Sequence, residues 1–419
     1  MIQQISLKGT LISLIESIDM FNYLLKNHHR RVAIISYNLG FHLGLSITEL
    51  KNLVFAASLH DIGALTVVER DNLIKMDVEN PRNHEIIGCA MLKSFKPFNS
   101  IANIIYHHHI KWSEIGIRYS SDEVDTVCFL LHLADRIDIL IDPDKDILSQ
   151  VPQIISTINS YSGNLFAPWS VKVFNEIAIQ DTFWLDINYK SLEQILSQLI
   201  SDELDLCIDE TDLEELVFTF SRIVDFRSRF TVSHSLGVGD VAFELAKLAG
   251  IPHEKCHKIK IAGYLHDIGK IAIPTELIDK KGPLTYEEYE KVKMHSYYTY
   301  MILSKIKGLE DICDWASKHH EKYDGSGYPY HIIESMFSIE IDILAYADIF
   351  TSLCENRPYR QELQSRHVLS ILKTYSEHQF SKKVFKLVKE NFTSLNSIRA
   401  LACENGSRFY DENIEDILL

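Results

Sequence analysis

Two histidine–aspartate pairs, His60-Asp61 in SLHDIGA and His266-Asp267 in YLHDIGK, lie at the ends of apolar runs, and each belongs to a longer series of metal-binding residue types. The first series is His28, His60-Asp61, His84, His108-His109 and Asp135; the second is His234, His266-Asp267, His295, His319-His320 and Asp348. The spacings match. His28 to His60 and His234 to His266 are each 32 residues apart, and His84 to His108 and His295 to His319 are each 24 apart. Imidazole plus carboxylate without thiolate suits iron, manganese or zinc better than magnesium or calcium. A carboxylate next to a histidine can bridge two ions, which lowers the pKa of a shared water and holds both ends of a phosphoryl displacement. A lone His-Asp pair on a helix is ordinary, but a complete set repeated at matched spacing is not, and the chemistry it points to is hydrolysis.

Helices must carry these groups inward. His234 is followed by Val238, Val241 and Leu245, and His28 by Val32, Ile35 and Leu39, the apolar stripe of a helix buried on one face. His319 follows Ile312, Trp315 and Ala316, and Asp348 follows Ile341, Leu344 and Ala345. Ile259, Ala262, Gly263 and His266 share another helical face, with Gly269 read as the helix stop. Ser46 with Glu49 and Thr285 with Glu288 are capping-box pairs, and Pro252 suits a first helical turn. The duplication continues past each final aspartate, where FAPWSVKVF at 166–174 resembles FSKKVFKLV at 380–388, so the repeated unit is domain-long. Residues 191–228 read as a connecting helical segment. Strand signals are few, and a short β element is placed around 330–342 or 180–190.

A chain of 419 residues, 46% of them hydrophobic and 24% charged, exceeds one ordinary core and is expected to form two helix-rich domains. A formal charge of −16 excludes the broad basic surface needed for polymeric nucleic acid, while leaving room for a small anionic substrate at local cations. Seven cysteines without CxxC pairing fit free thiols in a reducing compartment. No apolar run approaches a membrane span. The opening MIQQISLKGTLISLIESIDM, interrupted by Glu16 and Asp19, lacks the features of a secretory leader, and a cytoplasmic location is expected.

The strings HDIGK at 266–270, HHEKYDGSGYP at 319–329 and ADIFTSLCENRPYR at 347–360 resemble the HD-GYP phosphodiesterases of the HD superfamily, which hydrolyse cyclic dinucleotides. The resemblance spans roughly residues 215–390. It implies one metal held by His234, His266, Asp267 and Asp348 and a second by Asp267, His295, His319 and His320, with Asp267 bridging. Lys270 would neutralise charge on the attacked phosphate. Gly327 and Tyr328 would face the nucleotide, and Arg357 and Arg360 would grip phosphate. Glu321 and Asp324 are either partners of the ligand histidines or loop caps. Phe230 replaces the glutamate of members with a third metal, which leaves two, and Thr351 replaces a second aspartate after AD. The N-terminal half resembles only the broader HD superfamily. Its series His28, His60, Asp61, His84, His108, His109 and Asp135 is a candidate second metal site, yet Ala64 stands for Lys270, Ile110 for Glu321, and no GYP or RPYR follows. That pattern implies a structural, sensory or dimerising domain.

The expected protein is all-α, two tandem HD-type helical bundles with at most a minor β element: 1–205 a degenerate HD-like domain, 206–419 a catalytic one. The resemblance implies a phosphodiesterase using two divalent ions, iron or manganese ahead of zinc or nickel, with Asp267 and Lys270 as catalytic groups. Cyclic di-GMP is the favoured substrate, opened to linear pGpG or GMP. The alternatives are 3′,3′-cyclic GMP-AMP and, in a different class, a non-catalytic dinucleotide receptor. Besides the dinucleotide, the partner expected is a second copy of the chain or a signalling protein, with neither polymeric nucleic acid nor membrane.

Overall fold

The structure, a computed structural model, describes residues 5–6, 9, 12, 27–64, 75–78, 81–93, 95–120, 123–191, 194–195, 207–208, 210–225, 233–355 and 361–412. They divide into two compact units, one within Leu14–Leu206 and the other within Cys207–Ile417, the latter including the strand Ile5–Ser6. The first unit contains helices α1 (His28–Leu43), α2 (Ile47–Leu59), α3 (Arg82–Lys93), α4 (Asn99–Tyr106), α5 (Thr126–Ile139), α6 (Ile147–Ser160), α7 (Pro168–Ala178) and α8 (Asp181–Tyr189). The second contains α9 (Glu210–Asp225), α10 (His234–Leu248), α11 (His253–Leu265), α12 (Thr275–Ile278), α13 (Tyr286–Leu303), α14 (Glu310–Ser317), α15 (Ile339–Leu353), α16 (Ser365–His378), α17 (Lys382–Glu390) and α18 (Phe392–Tyr410).

The duplication is visible as one order of helices used twice: α1, α2, α3, α4 and α5 carry or precede the first histidine–aspartate series as α10, α11, α13, α14 and α15 do the second. FAPWSVKVF and FSKKVFKLV each lead into a short helix, α7 and α17. In the first unit α1 packs on α2, α5 and α7, and in the second α10 packs on α11, α15 and α18. The apolar stripes do this packing. Val32, Ile35 and Leu39 on α1, and Val238, Val241 and Leu245 on α10, are all fully buried, each worth about 1.5–3 kcal/mol. Both capping boxes form, with Glu49 and Glu288 N–H groups donating to Ser46 and Thr285 side chains at 3.3 Å. Pro252 sits at the N-cap of α11, one residue ahead of the first turn.

Three expectations need correction. Residues 181–189 are helix α8, because Phe183, Trp184 and Ile187 recur at helical spacing and are buried together. Between 330 and 342 lie a 3₁₀ turn, Glu334–Met336, and the start of α15, with only an isolated bridge from Asp324 to Ile333. The β pairing instead joins Ile5 to Ile208 and Ser6 to Cys207, antiparallel, so residues 5–6, which the expected boundary assigns to the first domain, belong to the second unit. Of the expected connector, Glu210–Asp225 forms α9 of the second unit and packs on α11 and on the turn after it; 192–193, 196–206, 209 and 226–228 lie outside the described residues.

Candidate active site

In the second unit α11 ends at Leu265, His266 caps it, and Asp267 leads into the 3₁₀ turn Ile268–Ala272. Gly269 is not the helix stop. A Cβ there would lie 2.0 Å from the His295 carbonyl oxygen and 2.6 Å from the Thr299 nitrogen, so only glycine lets this turn rest on the backbone of α13. The contact is pinned: Gly269 N–H donates to Thr299 Oγ1 at 3.1 Å, and the Thr299 hydroxyl donates to the His266 carbonyl at 2.9 Å. The result sets Asp267 Oδ1 3.4 Å from His295 Nε2. Gly63 plays the same part in the first unit, 2.1 Å from the His84 carbonyl by the same measure.

Three ligand-type histidines are aimed by their own helices. His266, His295 and His319 donate Nδ1–H to the carbonyls of Gly263, Val292 and Ala316 at 2.7, 2.6 and 2.7 Å, which leaves Nε2 as the free donor atom turned inward. His234, at the start of α10, is aimed instead by a carboxylate: its Nδ1 lies 3.0 Å from Glu355 Oε2 and its Nε2 3.2 Å from Asp348 Oδ1. Ligand atoms of His234, His266 and Asp348 lie within 4.8 Å of one another, as do those of His295, His319 and His320. Asp267 stands between the two groups. Its Oδ2 is 3.2 Å from His266 Nε2 and 2.5 Å from Lys270 Nζ.

These residues fit a pair of divalent ions. His266 Nε2 and Asp267 Oδ1 are buried without a hydrogen-bond partner among the described residues, an arrangement that costs about 1–3 kcal/mol per group unless a ligand satisfies it. Burial alone would raise the two carboxyls. Imidazoles outweigh it, with Lys270 adding to the effect at Asp267, and hold both Asp267 and Asp348 well below the usual carboxylate range. Burial depresses His295 to about 4, His320 to about 3 and His319 well below its ordinary value, so these imidazoles are neutral and their lone pairs are available.

The loop after His320 is organised from within. Gly327 packs on the backbone of Glu321 and Lys322, where a Cβ would come within 2.4 Å, so glycine is demanded by the chain's own fold. Glu321, buried, accepts from the N–H groups of Tyr330, His331 and Ile332 at 2.5, 3.1 and 3.1 Å. Asp324 accepts from Ser326 N–H at 2.9 Å and from Gln379 at 3.1 Å. Both acids are therefore loop caps rather than partners of the histidines. The loop lays Tyr328 over His320, ring centroids 4.9 Å apart, with burial pushing the phenol pKa up. Arg357, Arg360 and Phe230 lie outside the described residues, and Thr351 is buried in α15. Glu355 was missed by sequence reasoning. The available signal was its position seven residues after Asp348, two helical turns on by spacing, although α15 itself ends at Leu353.

All seven residues of the N-terminal series also converge. His28 Nδ1 lies 2.7 Å from Asp138 Oδ2, the counterpart of the Glu355 contact, and His60 and His108 donate to the Ala57 and Ile105 carbonyls at 2.8 and 2.6 Å. Asp61 Oδ2 is 3.6 Å from His28 and 3.2 Å from His60, and its Oδ1 is 3.7 Å from both His84 and His108. Both Asp61 oxygens, Asp135 Oδ1 and both His109 ring nitrogens lack a hydrogen-bond partner among the described residues. Burial acts against His28 and His60, but Asp138 and Asp61 carry the first to about 9, and Asp61 and Asp135 the second to about 10. One difference is chemical. Arg136 holds Asp135 Oδ2 at 2.5 Å, whereas Ile349 follows Asp348.

Two helical bundles, each closed around a histidine–aspartate cluster able to hold metal, define a tandem of HD-type metal-binding domains. The chain belongs to the HD-domain family: residues 25–140 and residues 194–384 each match it. It is 29% identical to 3′3′-cGAMP-specific phosphodiesterase 1 of Vibrio cholerae over 87% of this chain and 87% of that protein. It is 34% identical to the cyclic di-GMP phosphodiesterase response regulator RpfG of Xanthomonas campestris over 41% of this chain and 44% of that one. The solved structure of a cyclic GMP-AMP-specific phosphodiesterase of Vibrio cholerae shares the fold, with a TM-score of 0.63 and 22% identity over 95% of this chain and 98% of that one.

Proposed function

We propose that this protein is a metal-dependent phosphodiesterase that opens a cyclic dinucleotide at its C-terminal cluster. The observation that carries the reading is Asp267, placed between two groups of buried donor atoms with Lys270 at 2.5 Å. Two divalent ions bound there, iron or manganese by donor type, supply Lewis-acid polarisation and a nucleophile at neutral pH. The chain's own part is positioning. His234, His266 and Asp348 on one side and His295, His319 and His320 on the other present the donor atoms, with His266, His295 and His319 held through Nδ1–H bonds to helix carbonyls and His234 through Glu355. Lys270 offsets charge gathering on the phosphate. Tyr328 offers an aromatic wall beside His320, and Arg357 and Arg360 are assigned to phosphate contact by the HD-GYP-like string. The N-terminal unit is assigned a supporting role, and the buried free thiols Cys89, Cys128, Cys256 and Cys313 suit a reducing, cytoplasmic compartment.

Cyclic di-GMP and, as the alternative, 3′,3′-cyclic GMP-AMP are the two candidate substrates. One observation favours the second: a relative named for cyclic GMP-AMP matches over 87% of this chain and 87% of its own length, whereas the cyclic di-GMP phosphodiesterase RpfG matches less than half of the chain. The receptor reading is disfavoured by Lys270, which a binding-only protein has no need to hold against the bridging carboxylate.

The test is product chromatography with manganese- or iron-loaded protein and each dinucleotide in turn. Asp267→Ala should lose both turnover and metal, and Lys270→Ala should retain metal and lose rate. Normal turnover by the Asp267→Ala protein would overturn the reading, and binding without cleavage in the parent would establish the receptor.

A further inference from the structure

The N-terminal cluster has a cavity of its own. A pocket of about 680 Å³ reaches His109, whose ring belongs to the cluster with Asp61, His84 and His108. Its size falls within the range that encloses small-molecule ligands. Arg82, Lys111 and Arg118 line it. Each is already oriented by a carboxylate: Arg82 by Glu85 at 3.6 Å, Lys111 by Asp77 at 2.7 Å and Arg118 by Glu114 at 2.8 Å. Glu85 is buried, but the Lys111–Asp77 and Arg118–Glu114 pairs are exposed enough to add little stability, which leaves both cations available to a stronger anion. Phosphate is such an anion, since guanidinium forks match its oxygens and the ammonium adds a point charge. The wall also presents the rings of His107 and Tyr119, edge to face at 5.9 Å, against which a flat heterocycle can pack.

We infer that the N-terminal unit binds a nucleotide in this cavity, its phosphate directed to the His109 end of a metal-loaded Asp61 cluster and contacted by Lys111 and Arg118, its base against Tyr119. Counterparts of Lys270 and of the GYP and RPYR strings are indeed absent from this half of the sequence. The cations that replace them come from elsewhere: Arg82 opens α3, and Lys111 and Arg118 follow the histidine run. The buried atoms that lack partners supply the second argument. His109 lines the cavity and shares a cluster with Asp61 behind it, both with buried oxygens or nitrogens that lack partners among the described residues, and an ion that satisfies them draws an anion to the same place.

The site is independent of hydrolysis in the C-terminal unit, and its test keeps the two apart. Full-length Asp267→Ala protein, loaded with manganese, is titrated calorimetrically with GMP, linear pGpG and inorganic phosphate, and metal per chain is measured in parallel. Lys270→Ala serves as the background if circular dichroism shows Asp267→Ala to be unfolded. Saturable binding of GMP or pGpG is expected, and which of them binds more tightly identifies the source. Lys111→Ala with Arg118→Ala, both partly exposed, should leave metal content unchanged and weaken binding at least about tenfold, as loss of charge-assisted phosphate contacts predicts. The proposal is overturned by the absence of saturable binding, or by binding that the double substitution does not weaken. Nucleotide binding that survives complete chelation of metal overturns the metal-facing pose, and phosphate binding as tightly as GMP overturns the role of Tyr119. Failure of the dinucleotide assay would leave each of these results intact.

Discussion

Replacing Gly269 with alanine tests whether the contact between the HD turn and α13 sets the metal geometry. The new Cβ would lie 2.0 Å from the His295 carbonyl oxygen, against the 3.0 Å that real Cβ atoms keep, so the turn and α13 must part by about 1 Å. Because Asp267 and His295 ride on those two segments, their 3.4 Å approach opens by a similar amount. Overpacking of this kind costs about 1–3 kcal/mol of stability, and a 1 Å displacement at a reacting centre costs roughly a hundredfold in rate. The Gly269→Ala protein is therefore expected to stay folded, to bind the His295-side metal more weakly and to turn over about a hundredfold more slowly. Metal content by mass spectrometry and initial rates on a cyclic dinucleotide read both effects. Gly63→Ala, which meets the His84 carbonyl at 2.1 Å in the first unit, is the internal control: it should cost similar stability and leave the rate nearly untouched. Parental metal content and rate in Gly269→Ala would refute the claim that this crossing positions Asp267.

Other outcomes follow from single contacts. Glu355→Ala removes the group that aims His234 and should lower metal affinity about 10–100-fold, with Glu355→Gln recovering part of it, as read by metal titration; equal affinities in all three proteins would dismiss the contact. Asp342 is pushed up from 3.8 to about 6 by burial, against the opposing hydrogen bonds from Tyr323 and Ser381. The folded state then holds its proton more tightly than the unfolded one, so the contribution of Asp342 to stability is fully present below about pH 4 and is lost as the pH rises to about 6, by up to ~3 kcal/mol. Asp342→Asn should flatten that slope in urea unfolding at pH 4.5 and 7, and an unchanged slope would remove Asp342 as its source. Changing His60 and Asp61 together to alanine should lower metal per chain by about two ions while only modulating turnover. Complete loss of turnover with the C-terminal metals intact would make the first unit catalytic.

The ligand types, their twofold series and the helices that carry them were legible in the chain, because helical periodicity is a local property and metal donors form a short list of side chains. Val32, Val238 and the capping pairs Ser46/Glu49 and Thr285/Glu288 are where periodicity and capping rules place them. Tertiary structure decided what depends on helices crossing far apart in sequence. Glu355 and Asp138 orient equivalent histidines from seven and three residues beyond their aspartates, the first from just past the end of α15 and the second from within α5, offsets that only the fold reconciles. Glu321 turned out to cap a loop, Gly327 to pack on its own backbone and Gly269 to permit a crossing, because each answers to a neighbour chosen by packing. The short strand pairing of Ile5–Ser6 with Cys207–Ile208 joins segments about two hundred residues apart, and no local pattern could reveal it. The cations of the N-terminal cavity were hidden for the same reason: Arg82, Lys111 and Arg118 occupy no motif, and only the fold brings them to one wall.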